Sequence, residues 1–204
     1  MLVTPNAQGV TVPDGVVVVG ADELERSRLA YYHEDVGEVR YRISADSFFQ
    51  CRPDGAAALV ALVRDGLGNI DGPLLDAYSG VGLFGAALGA DRPLFAVESS
   101  RSSTADARVN LGSQAEVVRQ RFERWLPKPV AAVVADPARS GLDKPGVGVI
   151  DGTGAKRCSC ELRPGSPSTR HVAPSSSRVL LDRVTVVDLF GETSHIEAVS
   201  VFSR

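Results

Sequence analysis

Cysteine, methionine and tryptophan are scarce in this 204-residue chain, which has three, one and one of them. Three cysteines cannot form a disulfide framework, and no pair stands at zinc-finger or iron–sulfur spacing, so neither a stapled secreted domain nor a metal centre is expected. No run approaches the ~18 consecutive apolar residues of a membrane span, and the first residues lack a basic-then-apolar signal peptide. The expectation is no membrane partner, with the cytoplasm as compartment. An excess of basic charge is also missing: 22 Lys and Arg stand against 25 Asp and Glu, net −3. That excludes a whole-domain electrostatic footprint for nucleic acid, though not a local one. What remains is ordinary for a globular domain, with 44% hydrophobic and 23% charged residues. A chain of this length makes one full domain with a small appendage and buries roughly 70% of its unfolded surface. A monomer is expected.

Residues 1–45 read as short strands and turns. Val16–Val19 is a β-branched run between Pro13-Asp14-Gly15 and Gly20, and Glu38–Ile43 alternates polar and apolar. Asp54–Leu67 places Ala56, Leu59, Val60, Val63 and Leu67 on one helical face. The pattern then alternates: strand Leu74–Ala77, helix Phe84–Leu88, strand Leu94–Val97, helix Ser103–Leu111, a strand near Val117 and a strand Val130–Ala135. Such alternation predicts an α/β fold, a parallel sheet with helices on both faces. Asp151–Arg178 breaks the pattern with six hydrophobic residues in 28 against twelve Ser, Pro or Gly, a composition predicting an irregular segment. Regularity returns at Arg178–Phe190, and Glu197–Phe202 reads as a closing strand.

Two strand ends carry chemistry. In Asp76-Ala77-Tyr78-Ser79-Gly80-Val81-Gly82-Leu83-Phe84-Gly85 an apolar strand meets an acid and then Gly80, Gly82 and Gly85 in the order G-x-G-x-x-G. Such glycines let backbone approach a ligand at the carboxyl edge of the sheet. Glu98 ends the next strand at about the ~20-residue spacing of a carboxylate that accepts from ribose hydroxyls. On spacing alone this suits NAD or S-adenosylmethionine, since both present an adenosine ribose. The second strand, Val133–Ala135, ends in Asp136-Pro137, which points another acid at the same crevice.

Ser44-Ala-Asp-Ser-Phe-Phe-Gln50, Asp76-Ala-Tyr-Ser-Gly-Val-Gly-Leu-Phe84, Asp136-Pro-Ala-Arg-Ser-Gly-Leu142 and Asp188-Leu-Phe-Gly-Glu-Thr-Ser-His-Ile-Glu197 occur in that order. Together they resemble the uracil-C5 RNA methyltransferase family over about residues 30–150 and 180–204. The resemblance implies a Rossmann-like class I methyltransferase domain over 46–204, behind a small β-rich segment, 1–45, that is the remnant of a preceding domain. It implies S-adenosyl-L-methionine as cofactor and tRNA or rRNA as partner. Gln50, Tyr78, Glu98 and Asp136 would line the cofactor site above Gly80 and Gly82, and Glu197 would be the base. Uracil C5 is too poor a nucleophile to be methylated unaided. A cysteine thiolate therefore adds at C6, and a base later removes the C5 proton so that the cysteine leaves. The target base must first leave its stack. His195 has no evident role.

The sequence departs from the family where the nucleophile should be. A Ser-Cys-Asp/Asn-Pro segment is expected, and Ser159-Cys160-Glu161-Leu162-Arg163-Pro164 stands there. Cys160 is the nearest match, Cys158 a weaker one, and Cys51 lies on another block. Arg52 and Ala138 replace an Asn and a Pro of the family blocks, and the family's N-terminal RNA-binding barrel is not seen. Cys160–Pro164 can be encoded TGC GAG CTG CGA CCC, which one nucleotide forward reads Ala-Ser-Cys-Asp followed by a codon beginning CC. A local frameshift over about 158–180, restored near Leu181, is the resulting expectation, and with it impaired catalysis. Two other readings stand beside the methyltransferase. One is an NAD-dependent oxidoreductase, resting on the glycines and Glu98 but lacking a hydride-transfer constellation. The other is a non-catalytic S-adenosylmethionine-binding remnant.

Overall fold

The computed structural model describes residues 1–25, 30–50, 52–138, 141–162, 179–189 and 196–204. Strands β1 (Leu2–Thr4) and β2 (Val18–Gly20) pair in parallel and lead into a short helix α1 (Ala21–Glu25). Strands β3 (Tyr31–Val36) and β4 (Val39–Ser44) form a hairpin. Its two-residue turn needs a left-handed residue, which Gly37 supplies at φ +60°. Helix α2 (Pro53–Leu67) follows, with proline in its first turn where a missing N–H costs nothing.

The chain then alternates β5 (Leu74–Ala77), α3 (Leu83–Leu88), β6 (Leu94–Glu98), α4 (Arg101–Leu111), β7 (Ala115–Arg119), β8 (Ala132–Ala135), α5 (Lys144–Gly152), β9 (Arg157–Leu162), β10 (Leu180–Val187) and β11 (Glu197–Ser203). The seven strands β5–β11 build one sheet, order β10-β11-β9-β8-β5-β6-β7. Alternate residues of each strand enter different cores, as the period of two requires. Leu74 and Val134 join Leu59, Val63 and Phe84 on one face, while Leu75 and Val133 join Phe122, Trp125 and Val149 on the other. Both faces being covered, these strands read as continuous apolar runs. No helix among the described residues is long and apolar enough to cross a membrane.

Three expectations need correction. The sheet is mixed: β11 runs antiparallel to both β9 and β10, because it inserts between two strands of common direction. The irregular stretch expected over 151–178 is regular in part. Arg157–Leu162 is a sheet strand, paired with β8 on one side and β11 on the other, so ladder hydrogen bonds from two neighbours outweigh its weak composition. Residues 163–178 lie outside the described residues. Helix α5 was not anticipated from its three glycines; Asp143 caps it by accepting from the Gly146 N–H at 2.8 Å, and Val149 anchors it on the sheet.

The order of the strands positions the site. From β5 the chain goes to β6 and β7 on one side, then returns to β8 on the other. The crossovers diverge at the carboxyl ends of β5 and β8, and there an α/β sheet opens a crevice.

Candidate functional site

After Ala77 the backbone turns sharply. Tyr78 adopts φ +59°, a left-handed conformation unusual for a bulky side chain. Its ring packs on Phe122 at 4.9 Å between centroids, and its hydroxyl donates to Glu123 Oε1 at 2.9 Å. Gly80, at φ +54°, has open space where a Cβ would be, and its N–H donates to Glu98 Oε2 at 3.0 Å. The other Glu98 oxygen accepts from the Ser99 and Ser100 N–H groups, each at 2.7 Å. One carboxylate at the end of β6 thus ties the glycine loop to the start of α4.

The second and third glycines serve packing. Gly82 caps α3 at φ +91°, and a Cβ there would sit 3.0 Å from Leu111. A Cβ on Gly85 would meet Asp76 Oδ2 and Leu111 at 2.9 Å. The Gly85 N–H donates to that same Oδ2 at 2.7 Å.

Above this loop lies a crevice of about 630 Å³. Of the residues singled out in the sequence, Gln50, Tyr78, Gly80, Glu98, Asp136 and Glu197 line it. Gly82 stands behind the wall, at the helix cap. Cys160 lies on β9 with its backbone opposite Ala135 and Ser200; its side chain, like Cys51 and His195, lies outside the described residues. Cys158 is half-buried and lines a separate apolar hollow with Ile150 and Phe202.

The crevice is acidic. Asp46, Glu98, Asp136 and Glu197 contribute carboxylates, and no lysine or arginine among the described residues lines it. Such a wall repels a pyrophosphate and suits a cationic or hydroxyl-bearing ligand. Two buried oxygens near it have no partner, Ser79 Oγ on the wall and Asp76 Oδ1 just beneath. Buried polar atoms are rarely left so, and Ser79 Oγ therefore fits a ligand hydrogen bond. Asp76 is fully buried, and burial first, then the charges of Asp136 and Glu98, push its carboxyl well above the usual range against the opposing Gly85 hydrogen bond.

Sequence reasoning passed over Asp76, Ser79 and Phe48 as individual site residues. Asp76 had a signal, an acid inside a buried apolar strand. Phe48 had one only in retrospect: of the adjacent pair, Phe49 packs on Tyr41 at 5.7 Å, whereas Phe48 is 65% exposed on the crevice rim.

No protein-family model matches the chain. An uncharacterized RNA methyltransferase of Streptomyces coelicolor is 31% identical over 186 residues, covering 84% of this chain and 40% of that protein. One from Streptomyces avermitilis is 30% identical over 187 residues, covering 84% and 42%. The chain thus spans about two fifths of the length of the curated relatives it matches. Among solved structures, the Pyrococcus abyssi tRNA (uracil-54, C5)-methyltransferase in complex with S-adenosyl-L-homocysteine superposes with TM-score 0.75 at 26% identity, covering 84% of this chain and 44% of that one. The M. jannaschii tRNA m1G37 methyltransferase, at TM-score 0.64 and 10% identity over 86% of this chain and 57% of that one, shares the fold alone. The fold is that of class I methyltransferases, with a small N-terminal strand segment added.

Proposed function

We propose that this chain, a homologue of RNA methyltransferases, is the catalytic part of an S-adenosylmethionine-dependent enzyme that methylates C5 of uridine in tRNA or rRNA. The observation that carries the reading is the crevice itself. It joins Glu98 and Asp136, from the parallel strands, to Glu197, which arrives on the late antiparallel strand. The acidic wall, free of described lysine and arginine, favours a sulfonium cofactor over a dinucleotide.

Bound there, S-adenosylmethionine supplies an electrophilic methyl group. Glu98 keeps a lone pair free on Oε2, which has the Gly80 N–H as its one donor, for a ribose hydroxyl; Ser79 Oγ gains the partner it lacks, and Asp136, Tyr78 and Gln50 close the pocket. Phe48 offers its exposed face to a base swung out of its stack. The cysteine thiolate bonds to uracil C6 and so makes C5 nucleophilic. Once C5 carries the methyl group, Glu197 takes the C5 proton, the C6–S bond breaks and the thiolate returns. Glu197 is 2% exposed, which keeps competing water away from that proton.

The register of β9 bears on the cysteine. Cys160 stands opposite Ala135 and Ser200, two positions short of the strand's end, whereas position 162 stands opposite Ala198, beside Glu197. Were residues 160–164 encoded TGC GAG CTG CGA CCC, the reading one nucleotide forward would put its cysteine at 162. A frame shifted over about 158–180 would account for that register, and on this reading the chain binds cofactor but transfers methyl groups poorly.

Calorimetry with S-adenosylhomocysteine and with NAD tests the cofactor; binding of NAD alone would overturn it. RNA containing 5-fluorouridine tests the chemistry, since a C5 fluorine cannot leave as a proton and the cysteine adduct persists. The chain with its frame restored should trap that RNA, and a Cys→Ala change in the restored segment should abolish trapping. Efficient trapping by the unrestored chain, lost in Cys160→Ala, would refute the shifted-frame reading and make Cys160 the nucleophile.

A further inference from the structure

The wall of the crevice opposite the glycine loop is built from residues 46–50, which follow β4 and belong to no helix or strand. What holds them is a carboxylate outside the crevice. Asp106, on α4, is fully buried and surrounded by donors. Its Oδ2 accepts from the Ser44 N–H and the Ser47 hydroxyl, each at 2.7 Å. Its Oδ1 accepts from the Ser44 hydroxyl at 2.8 Å and meets the Arg42 guanidinium at 3.0 Å. Arg42 is itself fixed, lying 4.5 Å over the Tyr31 ring. One helical turn on, Asn110 accepts from the Arg42 N–H at 2.8 Å and donates to the carbonyls of Arg42 and Val81, both at 2.9 Å. Val81 belongs to the glycine loop.

We propose that Asp106 is a positioning residue, which through Ser44 and Ser47 sets where Phe48 and Gln50 stand over the cofactor and the target base. The inference rests on the function proposed above. A carboxylate suits this place because every group that faces it is a donor; an amide would turn an NH2 against one of them. Asn110 already fixes Arg42 of β4 on the same helix, and the buried charge of Asp106 carries that attachment on to Ser44 and Ser47, where the crevice wall begins.

The test compares the parent, Asp106→Asn and the milder Ser47→Ala, which removes a single donor. In Asp106→Asn, amide exchange over residues 47–50 should quicken at least about tenfold while that over 78–85 is unchanged, and S-adenosylhomocysteine should bind about five- to tenfold more weakly. Ser47→Ala should give a smaller effect in the same direction and add little to Asp106→Asn, because the contact it removes is one that Asp106→Asn already weakens. A residue that merely stabilised the fold would lower the melting temperature and leave affinity unchanged at 25 °C, where the protein stays folded. Unchanged exchange at 47–50, or full additivity of the two substitutions, would overturn the proposal. A parent that binds no S-adenosylhomocysteine would refute the cofactor reading, and the exchange comparison would still decide whether Asp106 sets the loop.

Discussion

Glu98→Gln removes a charge while changing almost no volume, and its consequences can be worked out bond by bond. In the parent, Oε2 receives the Gly80 N–H, and Oε1 receives the N–H groups of Ser99 and Ser100. A glutamine has one oxygen and one NH2. If the oxygen stays with Ser99 and Ser100, the NH2 faces the Gly80 N–H; if it turns, the NH2 faces two N–H groups. Either orientation sets donor against donor, and the first uncouples the glycine loop at the point where ligand must lie. A hydrogen bond to a charged group contributes about 1.5–3 kcal/mol. With about 1.4 kcal/mol to each factor of ten, affinity for S-adenosylhomocysteine should fall roughly ten- to a hundredfold. The lower end is favoured because Glu98 is partly open to solvent. Calorimetry measures the change, and far-ultraviolet circular dichroism checks that the sheet survives. Binding within twofold of the parent would refute the reasoning, both for the loop and for the ribose.

Three other outcomes follow from the same geometry. Asp76→Asn should raise the melting temperature of the free protein above neutral pH. An acid whose folded pKa is raised contributes fully only below its unfolded value and loses that contribution as pH rises through the folded one, so the gap between variant and parent should widen with pH and close in acid. Gly82→Ala should cost about 1–3 kcal/mol in urea unfolding, since alanine resists a left-handed backbone and its Cβ would press on Leu111. Phe48→Ala should leave S-adenosylhomocysteine affinity within about threefold and weaken the binding of uridine-containing RNA by about 1–3 kcal/mol, measured by fluorescence anisotropy; equal loss of both would place Phe48 in the cofactor site instead.

Much of this molecule was legible locally. The alternation of apolar runs and amphipathic stretches dictated the β5–β8 strands and their helices, and Gly80, Gly82 and Gly85 announced a left-handed turn followed by close helix packing. Glu98 and Asp136 had to stand at the carboxyl edge, because each ends a strand that alternation made parallel. Tertiary structure decided what periodicity cannot carry. The pattern of a strand records which residues face a core, but not which strand lies beside it. The slot between β9 and β10 that β11 fills, and with it the arrival of Glu197 beside Asp136's crevice, depended on pairing between segments far apart in the chain. Arg157–Leu162 became a strand for the same reason: its own residues favour no structure, and two neighbouring ladders supplied the hydrogen bonds. Nothing in the local sequence sets Asp106 apart on its helix; only folding brings Ser44, Ser47 and Arg42 around it. A buried charge draws its stability from donors that local sequence does not place, and so the packing alone could reveal it.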